Sequence, residues 1–294
     1  MSVPILVSVR QPFTNAGGPV VPAREEQGHL DGQGRVVILV HGYNNSRVED
    51  LRSYGEFLDD LTKKFNTETA PFVEFLWPGD EPNKIVSALS YPNQIRPAID
   101  SARELAAYLG GLHSARPVVV NLIGHSLGCR VVLELLSLWV TAKPANVSIG
   151  AVVLMAAAIV TRHVDINGRL RDAATVTMNN PVLCSKGDPV LHWAFPMGET
   201  AAGEVFFPTA VGRTGGPGNT WHFPFAMSHN GEAYVHGSYW SGDESSTAAA
   251  FALGGAPASI ISENAVASSL GPVENVVETN LTPVRDLPSR PSLN

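Results

Sequence analysis

The stretch VVVNLIGHSLGCRVVLELL, residues 118–136, decides the reading of this 294-residue chain. It opens with a β-branched run suited to a strand covered on both faces and closes with the apolar spacing of a helix. At the junction Gly124, Ser126 and Gly128 form G-x-S-x-G. The pattern alone is weak evidence in a chain with 27 glycines; the strand before it and the helix after it give it weight. A serine on so sharp a bend needs small neighbours, because the backbone is strained and the chain packs closely. The spacing therefore predicts that Ser126 projects beyond the strand end. The plain alternative is that it only starts a helix.

Working outward, three further short apolar runs stand out: VVILV at 36–40, VEFLW at 73–77 and AVVLM at 151–155. Between them lie helical patterns. Leu51, Tyr54, Leu58, Leu61 and Phe65 share one spacing, with Ser46 and Glu49 as a capping box upstream. Ile99, Ala102, Ala106 and Leu109 mark a second helix with Pro97 in its first turn, and a third runs from Leu127 to about residue 140. Alternating strands and helices predict an α/β fold with a mostly parallel central sheet and helices on both faces, its site beyond the carboxyl ends of the strands. A first strand is expected within residues 4–9, and later ones at 181–184 and 223–227. Residues 212–218 read as loop. No gap between strands is long enough for a large cap domain. Residues 1–254 are expected to form one domain, and residues 255–294, rich in Ser, Ala, Val and Pro, a mobile tail.

Composition excludes several classes. Apolar residues are 44% and charged residues 16%, as in a globular chain. A net charge of −7 disfavours nucleic-acid partners. The longest apolar stretch, residues 150–160, is too short to span a bilayer, so no membrane span is expected. The amino terminus lacks the basic start of a signal peptide, and two cysteines suit a reducing compartment, so a cytoplasmic location is expected. Cys129 and Cys184 read as buried thiols. The histidines lack metal-ligand spacing and no nucleotide fingerprint is present, so neither metal nor cofactor is expected.

A serine hydroxyl is barely nucleophilic at neutral pH; it needs a base within reach and a carboxylate to orient that base. HGYNNS follows the 36–40 strand, which places the backbone N–H of Tyr43 as one oxyanion donor. The N–H of Leu127, at the positive end of the helix that follows Ser126, is the other. His41, at a strand end before Gly42, is expected to order its loop rather than act as the base.

With these residues the chain resembles the serine hydrolases of the α/β-hydrolase superfamily, whose triad runs in the order Ser, acid, His. That resemblance implies Asp188, in SKGDPVL, as the acid, with Asp165 as the second candidate and an ordinary Asp-Pro turn as the plain alternative. For the base it implies His236, in HGSYW, with His229 as the main rival. His192 lies too near the acid, and His222 is expected among aromatics. HGYNN, the WPG at 77–79, GHSLGCRV with Arg130, SKGDPVL and HGSYW together resemble a bacterial group of α/β hydrolases over roughly residues 35–242. The implied activity is hydrolysis of a carboxylic ester through an acyl-enzyme, on a small-molecule acyl substrate with an apolar portion, under loops at 79–95 and 189–223. The alternatives are acyl transfer on the same triad and a non-catalytic scaffold of the same fold.

Overall fold

The β-branched runs become the middle of one sheet because each carries apolar side chains on both faces and needs cover from both. The computed structural model describes residues 3–11, 18–65, 70–79, 91–114, 116–218, 220–221, 224–226, 228–229 and 232–254. The expected tail at 255–294, His222, and residues 80–90 of one expected covering loop lie outside the described residues.

The strands in chain order are β1 (Ile5–Ser8), β2 (Arg24–Gln27), β3 (Arg35–Val40), β4 (Phe72–Leu76), β5 (Val118–His125), β6 (Val147–Met155), β7 (Val182–Cys184) and β8 (Pro224–Ala226). Across the sheet they lie β2-β1-β4-β3-β5-β6-β7-β8, every neighbouring pair parallel except β1 with β2. A separate hairpin pairs β9 (Ser228–His229) with β10 (Glu232–Ala233). The edge strand β2 reads REEQ, and its charge and exposure suit an unpaired edge. The same charge hid it from an apolar-pattern reading.

From β3 the chain steps outward to β4 and then returns across β3 to β5. The carboxyl ends of β3 and β5 thus flank the point where strand order reverses, where an open α/β sheet leaves a crevice. Asn121 tightens this centre: its Nδ2 donates to Val36 O at 2.9 Å and its Oδ1 accepts from Ala151 N at 3.0 Å. It bridges the register shift between β5 and β6.

The main helices are α1 (Arg47–Leu61), α2 (Pro92–Gly110) and α3 (Gly128–Ala142). Short α4 (Arg171–Ala174), α5 (Phe195–Ala201) and α6 (Val211–Thr214) follow, then α7 (Asp243–Ala252). The capping box of α1 is formed: Ser46 N donates to Glu49 Oε2 at 2.8 Å and Glu49 N to Ser46 Oγ at 3.4 Å. Helices α2 and α3 pack together, as do α1 and α7. One expectation needs correction. Helix α2 does not begin near Pro97; it begins at Pro92, and Pro97 lies inside it. Pro92 suits the first turn, where an N–H has no helical partner, whereas Pro97 forfeits one ladder bond that burial of Ile95, Ala98, Ala102 and Leu105 outweighs.

Candidate active site

The bend between β5 and α3 is sterically specified. Ser126 has φ 52°, in the left-handed region that only a structurally held non-glycine residue adopts. Its N–H donates to Met155 O at 2.9 Å and its carbonyl accepts from Ala158 N at 3.1 Å, so the end of β6 grips it on both sides. At Gly128 a Cβ would sit 2.2 Å from His41 O, and at Gly124 one would sit 3.0 Å from Cys129 Cα. Both positions need glycine because backbone approaches backbone.

The structure brings Ser126, His236 and Asp188 into one hydrogen-bonded row. Ser126 Oγ lies 2.8 Å from His236 Nε2, and His236 Nδ1 lies 2.7 Å from Asp188 Oδ2. A carboxylate can only accept, so the proton between them sits on Nδ1 and leaves Nε2 free to accept from the serine. Asp188 is fully buried, and its Oδ1 accepts from Val190 N at 2.9 Å and Leu191 N at 3.1 Å. Those bonds open a π-helical turn, Val190–Ala194, that runs into α5. The second acid candidate, Asp165, lies in an exposed turn where its Oδ1 accepts from Ile166 N at 2.8 Å. His229 pairs through its backbone with Glu232 on the separate hairpin. His192 packs edge-on against Trp193 at 4.3 Å.

Leu127 N–H has no acceptor among the described residues, although the N–H groups of Ser126, Cys129 and Arg130 beside it are all engaged. The loop after β3 lies against the same bend: a Cβ at Gly42 would meet Ser126 Cβ at 2.9 Å. Tyr43, next in that loop, lines a cavity of about 250 Å³ that also contains Ser126 and His236. The rest of its wall is largely apolar, from Tyr91, Ala158, Leu191, Ala194 and Phe195, with Asn44 and Asn45 at one side. Residues 190–201, expected as loop, cover the site as a π-turn and helix instead, because Asp188 supplies the cap and Phe195 and Pro196 bury themselves.

His41 is fully buried and orders its loop. Its Nε2 accepts from Trp77 N at 3.2 Å, which places its proton on Nδ1, 2.8 Å from Gly42 O; its ring stacks on Trp77 at 5.5 Å. Burial and then the charge of Arg10 push it down to about 3, against the buried Asp50 carboxylate, whose Oδ2 lies 3.2 Å from the same Nδ1. Both cysteines are free and buried. Burial raises the Cys184 thiol to about 11 and the Cys129 thiol higher still, so neither is a thiolate at neutral pH.

Residues 25–197, more than half of the chain, match a family described as alpha/beta hydrolase of unknown function (DUF900). The chain belongs to this family. The matched span of this alpha/beta hydrolase holds Ser126 and Asp188 and ends before His236. No curated protein matches the chain. Among solved structures, the monoclinic form of an esterase from Pyrobaculum calidifontis is similar at 14% identity and a TM-score of 0.40, over 78% of each chain. Among the described residues, no helix is long and apolar enough to cross a membrane.

One part of this alpha/beta hydrolase's site escaped the sequence reading. His125, directly before Ser126, is buried, and its Nε2 donates to the carbonyl oxygen of His236 at 2.8 Å. Its ring lies 5.0 Å from that of His236 and 5.5 Å from Trp240. Burial, then the neighbouring His236, pushes it down to about 3. Its only signal was its place inside GHSLG. Arg130 is likewise fully buried, with Nε 2.6 Å from Glu134 and Nη2 3.4 Å from Glu204, so it ties α3 to the segment after α5.

Proposed function

We propose that this chain is a serine hydrolase that cleaves a carboxylic ester through an acyl-enzyme. Ser126 is the nucleophile, His236 the general base and then acid, Asp188 the orienting carboxylate, and the backbone N–H groups of Leu127 and Tyr43 the oxyanion donors. The observation that carries this reading is the unbroken row Ser126–His236–Asp188, with both contacts within hydrogen-bond reach.

In the first step Ser126 Oγ bonds to the ester carbonyl carbon while its proton passes to His236 Nε2. The carbonyl oxygen becomes an anion facing the Leu127 N–H at the positive end of α3, where one such donor contributes about 3 kcal/mol to the transition state. Asp188 stays ionised and stabilises the imidazolium. Collapse of the intermediate breaks the bond to the alcohol oxygen, which takes the proton from His236 and leaves the acyl group on Ser126. Water, deprotonated by His236, then repeats the attack and releases the acid. An alkoxide leaves more readily than an amine, which favours esters over amides. The apolar wall from Ala158, Leu191 and Phe195 suits a small substrate with an apolar portion.

The test is turnover of short activated esters by the full chain, with and without added methanol. Release of free acid that depends on His236 supports the reading. Methyl ester as the main product at low methanol would favour acyl transfer, and absence of turnover across a broad ester panel would overturn the assignment.

A further inference from the structure

We propose that the cavity is an acyl-length gauge: it admits a short acyl chain, and Tyr91, clamped by Glu199, sets the limit. This rests on the hydrolase reading above and narrows its substrate class.

The cavity measures about 250 Å³, below the roughly 300–1,000 Å³ of sites that enclose drug-sized ligands. Ser126 and His236 are part of its wall, so the reacting ester group itself takes up some of that space. The alcohol has to depart past His236, beside which Val235 is 54% exposed. The acyl portion stays on Ser126 and faces the aromatic wall.

That wall is a row of three rings. Tyr91 meets Tyr43 edge-on at 6.3 Å and Phe195 edge-on at 6.0 Å. Tyr91 comes from the residue before α2, and Phe195 opens α5, so two separate elements meet in the wall. The ring of Tyr91 is fixed twice. Its hydroxyl donates to Glu199 Oε1 at 2.8 Å, and its ring lies close against Gly198, where a Cβ would come within 2.6 Å of Tyr91 Cδ1. Glu199 is fully buried, and its Oε2 has no hydrogen-bond partner among the described residues. Swinging Tyr91 aside for a longer chain would strip the carboxyl of the one partner its Oε1 has among the described residues. The wall therefore stays where it is, and chain length is limited by a rigid ring rather than by an adaptable surface.

A purely structural role for the pair, joining α2 to α5, makes a different prediction: its loss would lower stability and leave the chain-length preference alone. Labelling by alkylphosphonofluoridates separates the two. Ser126 Oγ bonds to phosphorus, fluoride leaves, and the serine proton passes to His236; the alkyl group on phosphorus stands in for the acyl chain. Rates are compared for two-carbon and eight-carbon alkyl groups on the full chain. Wild type is expected to label with the two-carbon probe at least about ten-fold faster, since excluding even one methylene from a fitted pocket costs about that much. Tyr91→Ala should shrink or reverse the ratio. Glu199→Gln should keep the wild-type ratio, because the amide carbonyl still accepts from the tyrosine hydroxyl. Tyr91→Leu serves if circular dichroism finds Tyr91→Ala unfolded. Equal rates in wild type, or an unchanged ratio in a folded Tyr91 variant, would overturn the length gauge and leave the hydrolase reading standing. Failure of both probes to label wild-type Ser126 would overturn both.

Discussion

His125 Nε2 donates to the carbonyl oxygen of His236 at 2.8 Å, so the residue preceding the candidate nucleophile holds the backbone of the candidate base. The loop carrying His236 is thereby tied to the same bend that presents Ser126. Positioning of this kind matters because a displacement of about 1 Å at reacting groups costs on the order of 10²-fold in rate. His125→Phe should lower kcat about ten-fold or more with KM little changed. His125→Gln, whose side-chain N–H can reach the same carbonyl, should recover most of the loss. Steady-state kinetics on one activated ester decide this; equal damage from both substitutions would mean that packing alone is at stake.

The same histidine makes stability depend on pH. Its folded value of about 3 lies below the ordinary value near 6.5, and so does that of His41. A depressed histidine contributes stability that is present above about pH 6.5 and is lost as pH falls toward 3, because the unfolded chain then binds the proton and the native chain does not. Glu74, raised by burial to about 7, opposes this below neutrality by taking up a proton in the native state. Between pH 6.5 and 4, His125→Gln should therefore lose less stability than wild type, by about 1 kcal/mol per pH unit. Urea melts across that range measure the difference; parallel curves would show that His125 is charged when folded.

Gly128→Ala places a methyl 2.2 Å from His41 O and 2.5 Å from Val40 O, both of them backbone oxygens. No rotamer relieves such a clash. The expected cost is about 3 kcal/mol or more of stability, read by denaturant unfolding, with Ser126 displaced from His236 in whatever folds. A variant of wild-type stability and turnover would show that the bend is softer than its packing implies.

Asp188→Asn keeps one acceptor for Val190 and Leu191 but offers an amide to His236 Nδ1. The imidazole then favours the tautomer with its proton on Nε2, pointing at the serine. The expected loss in kcat is about 10³ to 10⁴-fold with folding intact, since an oriented carboxylate contributes about that much to such a row. Circular dichroism and ester kinetics check it.

Much of this arrangement was legible in the chain. The central strands announced themselves because burial on both faces demands unbroken apolar runs, and the bend announced itself because Gly124 and Gly128 must admit backbone at close range. Asp188 and His236 meet although 48 residues separate them, and it was their order along the chain, through a resemblance, that singled them out. What stayed hidden depends on three-dimensional company. The charged strand β2 is paired on one side only and carries no apolar signature. The helical cover at 190–201 is nucleated by a carboxylate whose capping bonds no pattern of residues 189–223 reveals. The Tyr91–Glu199 pair joins residues 108 apart, and neither side chain is unusual in its own stretch of sequence.

The most direct measurement is fluorophosphonate labelling of the full chain beside Ser126→Ala, with the adduct located by peptide mass spectrometry. One adduct on Ser126, absent from the alanine variant together with ester turnover, is the expected result. Labelling that persists undiminished in the variant, or an adduct on any other residue, would show that the hydroxyl at this bend is not the nucleophile.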